Sequence, residues 1–334
     1  MKVLCIGSAT KDIFFPTNGG IVIDTPEDIL SQKKIEFELG AKYQIERRHE
    51  TLGGCVVNVA SGLVKLGENA DCYAGIGEDE CGEWIKKNIA KEGIGTDKIL
   101  VVENTLSDLS AIVVDANSGE RVIFSNHRAC KKFSIEEDKL DGYEWIFVGD
   151  LSGEWREVLK IILKKIEGKS VKIAFNPRQQ MIHDDMENVS SMIAKTEVLF
   201  MNKDEALETV TNMQGNFSRE ELNDESFLVK KIKELGVGIV VLTDGIRGAW
   251  GYDGEKVLHV DAILQKKVVD TTGAGDAFAS AFLAAYIKEK SLDEALKWGI
   301  LNSSHSITEY GGQKGLLTEK QIEEAILDVK IDKI

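Results

Sequence analysis

From Tyr143 onward, short apolar runs rich in β-branched residues alternate with amphipathic helical stretches, the pattern of β-α-β units feeding a parallel sheet. The spacing predicts strands at Trp145 to Val148, Val171 to Phe175, Val198 to Met201 and Ile239 to Leu242. Each run ends in turn-forming or polar residues: Gly149-Asp150, Asn176-Pro177, Asn202-Lys203-Asp204-Glu205 and Thr243-Asp244-Gly245. In a parallel sheet all four segments follow the carboxyl ends of strands, so they crowd the one edge at which open α/β sheets bind ligands.

The N-terminal half is less regular. Val3 to Ile6 reads as a strand, and Cys55 to Leu66 and Glu80 to Lys91 as helices. Between them, Gly19 to Ile23 and Ala41 to Ile45 alternate as small antiparallel strands do, and so do Ala111 to Val114 and Arg121 to Phe124, joined by the turn-like Ala116-Asn117-Ser118-Gly119. Two such β segments, at approximately 13–50 and 99–125, are expected to pair into a small sheet, a lid over the edge of one α/β domain spanning 1–334. The alternative is that they extend the main sheet.

With 334 residues and 43% apolar content, the chain can bury a large core. A formal charge of −15 disfavours nucleic acid and anionic membrane as partners, so any polyanion must be held locally, by dipoles or a metal. Cys5, Cys55, Cys72, Cys81 and Cys130 lack C-x-x-C spacing and read as reduced, mostly buried thiols rather than a zinc site or a disulfide framework. The opening apolar run is too short for a signal peptide, and no later stretch approaches a bilayer span, so the expected compartment is the cytoplasm.

The segment Asp270-Thr271-Thr272-Gly273-Ala274-Gly275-Asp276-Ala277-Phe278 carries most of the candidate chemistry. It runs into Ala279 to Tyr286, alanine-rich and apolar nearly all round, hence a buried and firmly anchored helix. Gly273 and Gly275 let the backbone approach a ligand while the free N–H groups of the helix start, Ala274 included, point outward as an anion site at the positive end of the dipole. Asp276 beside it could take the proton of an attacking hydroxyl, although the dipole favours its ionised form and makes it a weak base. The plain alternative is a capped core helix.

Asp270 to Phe278 closely resembles the C-terminal signature of the ribokinase-like (PfkB) carbohydrate and nucleoside kinase family. Gly53-Gly54-Cys55-Val56-Val57-Asn58-Val59-Ala60, continuing to Leu66-Gly67, resembles the family's N-terminal signature, and Gly75 to Gly82 is similar to the stretch that follows it. The likeness spans nearly the whole chain in order. It implies a three-layer α/β/α sandwich with a mostly parallel central sheet and a small β lid, and phosphoryl transfer from ATP with Mg²⁺ to a small-molecule sugar or nucleoside. It also implies a homodimer through the lid.

Carried over residue by residue, the resemblance makes Asp276 the base and Gly273, Ala274 and Gly275 the anion hole. It puts Asp12, Gly53, Gly54 and Asn58 at the substrate, where without it Asp12 reads as a turn or cap residue and Asn58 as a core amide. Asn202 and Glu205 fall near the ATP phosphates and the Mg²⁺ shell, Glu205 acting through water, though their spacing is also that of an ordinary capping box. Thr243, Gly245 and Gly248 match the nucleotide loop, and Asn302 would flank the adenine.

Asp270, with the Thr272 backbone and Gly311 to Gly315, matches a K⁺ site, which Gly315 and Lys314 depart from. Arg178 and His127 to Cys130 also depart from the usual pattern, which leaves the substrate open. A catalytically silent ligand-binding or regulatory protein of the same fold is the competing function. A nicotinamide enzyme is set aside because no G-x-G-x-x-G follows the first strand.

Overall fold

The structure, a computed structural model, describes residues 1–24, 33–115 and 121–334. In chain order, β1 (Lys2–Gly7), β2 (Thr10–Thr17), β3 (Ile21–Asp24), β4 (Lys33–Glu36) and β5 (His49–Gly53) precede α1 (Cys55–Lys65), β6 (Asn69–Gly77) and α2 (Glu80–Lys91). Then come β7 (Leu100–Val102), β8 (Leu109–Asp115), β9 (Arg121–Asn126), β10 (Trp145–Gly149), α3 (Trp155–Ile166), β11 (Lys172–Asn176), α4 (Gln179–Asp184) and α5 (Met186–Ile193). The remainder is β12 (Val198–Asn202), α6 (Lys203–Thr211), α7 (Arg219–Leu222), α8 (Glu225–Lys233), β13 (Ile239–Thr243), β14 (Ala249–Tyr252), β15 (Val257–Val260), α9 (Ala274–Ile287), α10 (Leu292–Ser306), α11 (Glu319–Ala325) and β16 (Asp332–Lys333).

Ten strands form one sheet in the order β16-β15-β14-β13-β12-β11-β10-β1-β6-β7, parallel from β13 to β7, with β14 to β16 antiparallel at one end. Successive residues of β1 bury on opposite faces, Val3 and Cys5 into one core and Leu4 and Ile6 into the other. The first core packs α1, α9 and α10 on the sheet and the second packs α3, α5, α6 and α8, which makes three layers. The strands predicted for the large sheet and the helices predicted at Cys55 to Leu66, Glu80 to Lys91 and Ala279 to Tyr286 stand where the periodicity placed them.

A separate four-stranded sheet, β5-β2-β8-β9, and the hairpin β3-β4 complete the strands. The small sheet is mixed, not purely antiparallel, because β2 and β8 run parallel. Each continues, after a short connection, from a strand of the large sheet, β2 from β1 and β8 from β7, and those two point the same way. Leu100–Val102 joins the large sheet, so that part of the 99–125 segment does extend it.

Ala41 to Ile45 is not a strand. The ring of Tyr43 packs edge-on against Phe37 at 5.2 Å and its hydroxyl accepts the Glu38 amide at 2.9 Å, while His49–Gly53 takes the place beside β2. The turn expected at Ala116 to Gly119 lies outside the described residues. All five cysteines are free. Among the described residues, no helix is long and apolar enough to cross a membrane.

Candidate active site

Two helix starts face each other beside the carboxyl edge of the large sheet. The main chain enters α9 through Gly273, in the left-handed region at φ 78°, where a side chain would meet Gly312 Cα at 2.9 Å and Asn58 at 3.2 Å. The Ala274 amide turns back to Thr271 O at 3.3 Å, which leaves the amides of Gly273, Gly275 and Asp276 at the helix start without a main-chain partner among the described residues. A Cβ on Gly275 would meet nothing within 4 Å, so the turn opens onto free space on the side where an anion would sit.

Asp276 follows in the first turn, and its Oδ2 accepts a hydrogen bond from Asn58 Nδ2 at 2.7 Å. The other end of the Asn58 amide accepts from Gln313 Nε2. Asn58 thus orients the carboxylate, and that bond uses one of its two Nδ2–H donors. Burial pushes the Asp276 carboxyl up to about 6, against the bonds from Asn58 and Cys55 that favour its ionised form. The dipole argument for a weak base is thus overturned: desolvation outweighs it.

Across the pocket, Asp12 on β2 is almost wholly buried, raised to about 6 by that burial, and one of its oxygens has no partner. Gly53 is glycine for lack of space, since a Cβ there would fall 2.1 Å from Asp12 Oδ2. Gly54 is glycine for its φ of 94° and for the Ser8 carbonyl that a Cβ would strike. Sequence reasoning passed over Asp150, although it was visible as a polar residue at a strand end. It has a φ of 48°, accepts from Ser8 Oγ at 2.5 Å and lies 3.4 Å from Arg178. Arg178 also donates to Ser152 Oγ at 2.9 Å, so it is tied into this edge rather than free in solvent.

Asn202 and Glu205 do form the capping box of α6, each bonded to the other's amide at 2.9 Å. Glu205 nevertheless lines the same 90 Å³ cavity as Asn176, Thr243, Gly275 and Asp276. Burial raises its carboxyl to about 7, with the neighbouring charges of Asp204 and Asp276 adding to the shift. A second cavity of 260 Å³ lies beyond the glycine turn, lined by Gly245, Ile246, Ile263, Leu264, Val268 and Ile300 among others. Ile246 stands within the Thr243 to Gly248 loop, but Ile263, Leu264, Val268 and Ile300 come from a loop and a helix that carry no motif, so spacing could not have found them.

Two sequence candidates fall elsewhere. Gly248 (φ 91°) backs onto β15, where a Cβ would strike Val260 O at 1.9 Å, so its glycine serves the hairpin. Asn302 bonds main chain, donating to Ala277 O and accepting from Leu317 N at 2.8 Å each, and its full burial keeps it out of reach of an adenine. The two oxygens of Asp270 accept the amides of Thr272 at 2.9 Å and Gly311 at 3.1 Å, with the Arg121 guanidinium 3.8 Å away.

At the base of the small sheet, Asp108 gathers one oxygen's worth of amides from Arg128 and Ala129 at 2.8 Å and Cys130 at 3.4 Å. Its other oxygen meets His127 Nδ1 at 3.2 Å. Asp108, His127 and Cys130 are close enough to share a metal, yet these hydrogen bonds already satisfy the carboxylate.

A glycine turn feeding a buried helix, with a carboxylate in its first turn and a Gly-Gly helix start opposite, is what the sequence signatures describe, and the comparisons agree. The pfkB family carbohydrate kinase model matches residues 27–319. The chain belongs to the pfkB carbohydrate kinase family.

Within that family it is 26% identical to a nucleoside kinase of Methanocaldococcus jannaschii over 97% of this chain and 96% of the relative. It is 25% identical to an ATP-dependent 6-phosphofructokinase of Thermoanaerobacterium thermosaccharolyticum over 89% and 93%. In fold it resembles the crystal structure of the M. jannaschii nucleoside kinase (TM-score 0.75, 24% identity, 98% of each chain) and an apo putative ribokinase II from E. coli (0.79, 19%, 98% and 99%). PfkB-family relatives are thus sugar and nucleoside kinases, and at these identities they do not fix one substrate.

Asn302→Ala removes two buried hydrogen bonds and should cost about 1–3 kcal/mol of stability. It should lower the melting temperature while leaving the KM for nucleotide unchanged, which thermal unfolding and steady-state kinetics would check.

Proposed function

We propose that this chain transfers the γ-phosphate of ATP to a hydroxyl of a sugar or nucleoside. The reading rests above all on one observation: the open amides of Gly275 and Asp276, the Asp276 carboxylate and Glu205 all border one small cavity, with Asn58 fixing the orientation of Asp276. Phosphoryl transfer is mostly positioning and charge stabilisation, and amides in a fixed helix start stabilise developing negative charge without reorganising.

In this mechanism Asp12 takes hydroxyls of the acceptor, and Gly53 and Gly54 leave room for its ring. Asp276, held by Asn58, accepts the proton of the attacking hydroxyl, a task helped by a carboxyl raised to about 6. The 260 Å³ apolar cavity beside Gly245 suits the adenine, with Thr243 on the phosphate side. The small sheet is read as a lid that excludes water from the transfer, and its segments as insertions at approximately 13–50 and 99–125 in one kinase domain.

Carboxylate oxygens are the donors Mg²⁺ prefers, and the charge of Asp276 adds to the cost of ionising Glu205 in the same cavity, so a divalent ion fits beside Glu205, acting through water as the family resemblance implies. Bound there, it would neutralise phosphate charge. At Asp270 the guanidinium of Arg121, 3.8 Å away, already offsets the carboxylate charge that a K⁺ would need. Pairing of two copies through the lid would rest on the edge strand β9, where Val122, Ile123 and Phe124 are exposed.

A silent binding protein would need the same pocket but no raised base, so the two readings part on turnover. Incubated with ATP, Mg²⁺ and a panel of sugars and nucleosides, the protein should release ADP with at least one acceptor. Asp276→Asn should then lower kcat by about 10²–10⁴-fold. Wild-type turnover in that variant would exclude Asp276 as the proton acceptor.

Because the base must be ionised and its carboxyl stands at about 6, kcat/KM for the acceptor should be level at neutral pH and decline as pH falls through about 6. A group at its ordinary value of 3.8 would put that limb two units lower. Rates in potassium and choline chloride at equal ionic strength should agree.

A further inference from the structure

The small sheet presents a polar face whose groups are not all used above. Thr51, Asp12, Ser110 and Ser125 stand opposite one another across β5, β2, β8 and β9. Side chains two residues apart along a strand share a face, so the next row holds Gly53, Thr10 and, continuing the register by one residue, Asp108 and His127. Thr10, Asp12 and Thr51 are each 6% exposed, and each has a side-chain oxygen without a hydrogen-bond partner. Buried oxygens left unmet are costly, and three on one face point to a hydroxylated ligand that completes them.

His127 closes this face on the side away from β5. Its ring is 27% exposed, Nδ1–H donates to a carboxylate with no exposure at all, and Nε2 takes no partner among the described residues. Asp108 cannot turn away, because three consecutive amides hold its other oxygen. A carboxylate behind one ring nitrogen fixes the tautomer and aims the other nitrogen. The imidazole also lies near enough to Asp12 for its charge to act on that carboxyl.

We propose that His127 is a second anchor for the acceptor: Asp108 grips Nδ1, and Nε2 hydrogen-bonds a hydroxyl other than the one phosphorylated, across the face from Asp12. The inference rests on the kinase reading and narrows it to acceptors with hydroxyls on at least two sides of the ring. Asp108 is then a positioning residue, acting through His127 rather than on the substrate.

Amide side chains separate this role from a purely structural one. Asparagine at 127 can replace Nδ1 and keep the bond to Asp108 but does not extend to Nε2, whereas glutamine reaches the Nε2 position. With the best acceptor from the panel, His127→Ala and His127→Asn should lower kcat/KM about ten- to a hundredfold, mainly through KM, the usual worth of a hydrogen bond in a buried polar site. His127→Gln should recover most of that loss. Among monodeoxy analogues of the acceptor, the one lacking the contacted hydroxyl should be indifferent to the substitutions.

Wild-type behaviour of His127→Asn, or equal losses on the parent and every analogue, would overturn the inference while leaving the kinase reading intact. If the wild-type protein turns over no acceptor, the kinase reading fails on its own. Calorimetric binding of the same polyols to wild type and His127→Asn then decides the role of His127, equal affinities counting against it.

Discussion

The site depends on how closely α9 can be wedged between its neighbours. A Cβ on Gly62 of α1 would fall 2.0 Å from Ser280 Oγ, and one on Gly299 of α10 would fall 2.7 Å from the ring of Phe278. These glycines let two helices press against α9 from different sides, and the Asn302 bond to Ala277 O adds a polar tie at the same level. The 2.7 Å bond from Asn58 to Asp276 is a consequence of that packing, since the two residues are 218 apart in sequence. Interiors are packed like crystals, so a side chain at either glycine would move α9 rather than be absorbed, and misplacement by about 1 Å can cost a hundredfold in rate.

The electrostatics follow from the same burial. In a chain of net charge −15, an anion site built from lysines would compete with many nearby carboxylates, whereas main-chain amides at a helix start carry partial charge that the surface cannot titrate or pair away. The cost appears on the acidic groups around them. Asp12 and Asp276 are held near 6 and Glu205 near 7, burial being the first cause in each. A hydroxyl or a divalent ion placed against any of the three would stabilise its ionised form.

Much of this was legible because it is local. Strand ends, the helices Cys55–Lys65 and Glu80–Lys91, and the glycines before Asn58 and Asp276 depend on periodicity and on φ, which neighbouring residues determine. What escaped depends on distant partners. Ala41 to Ile45 alternates as a strand does, but β2 could accept only one neighbour there and His49–Gly53 filled the place. Gly248 and Asn302 sit in the right motif neighbourhood, yet their roles are set by Val260, Ala277 and Leu317. The direction of the Asp276 shift was misjudged because the helix dipole can be read from sequence and desolvation cannot. Asp108 and His127, 19 residues apart and carrying no motif spacing, meet only through the β8-β9 register.

The small sheet is more than a cover in this arrangement. Arg121 on β9 donates to Thr271 Oγ1 at 2.5 Å and stands beside Asp270, so the sheet is fastened to the loop that leads into the glycine turn. Asp12 on β2 acts from the opposite side, and its negative charge adds to the upward shift of Asp276. The small sheet thus contributes, through Asp12, to a shift whose first cause is burial. Were that sheet to swing away and admit water, desolvation and repulsion would both fade, and the carboxyl would relax toward its ordinary value of 3.8, becoming a poorer base. In the proposed mechanism, closure and proton acceptance would then be coupled: the geometry that brings a hydroxyl between Asp12 and Asp276 would also be the one that keeps Asp276 the better base.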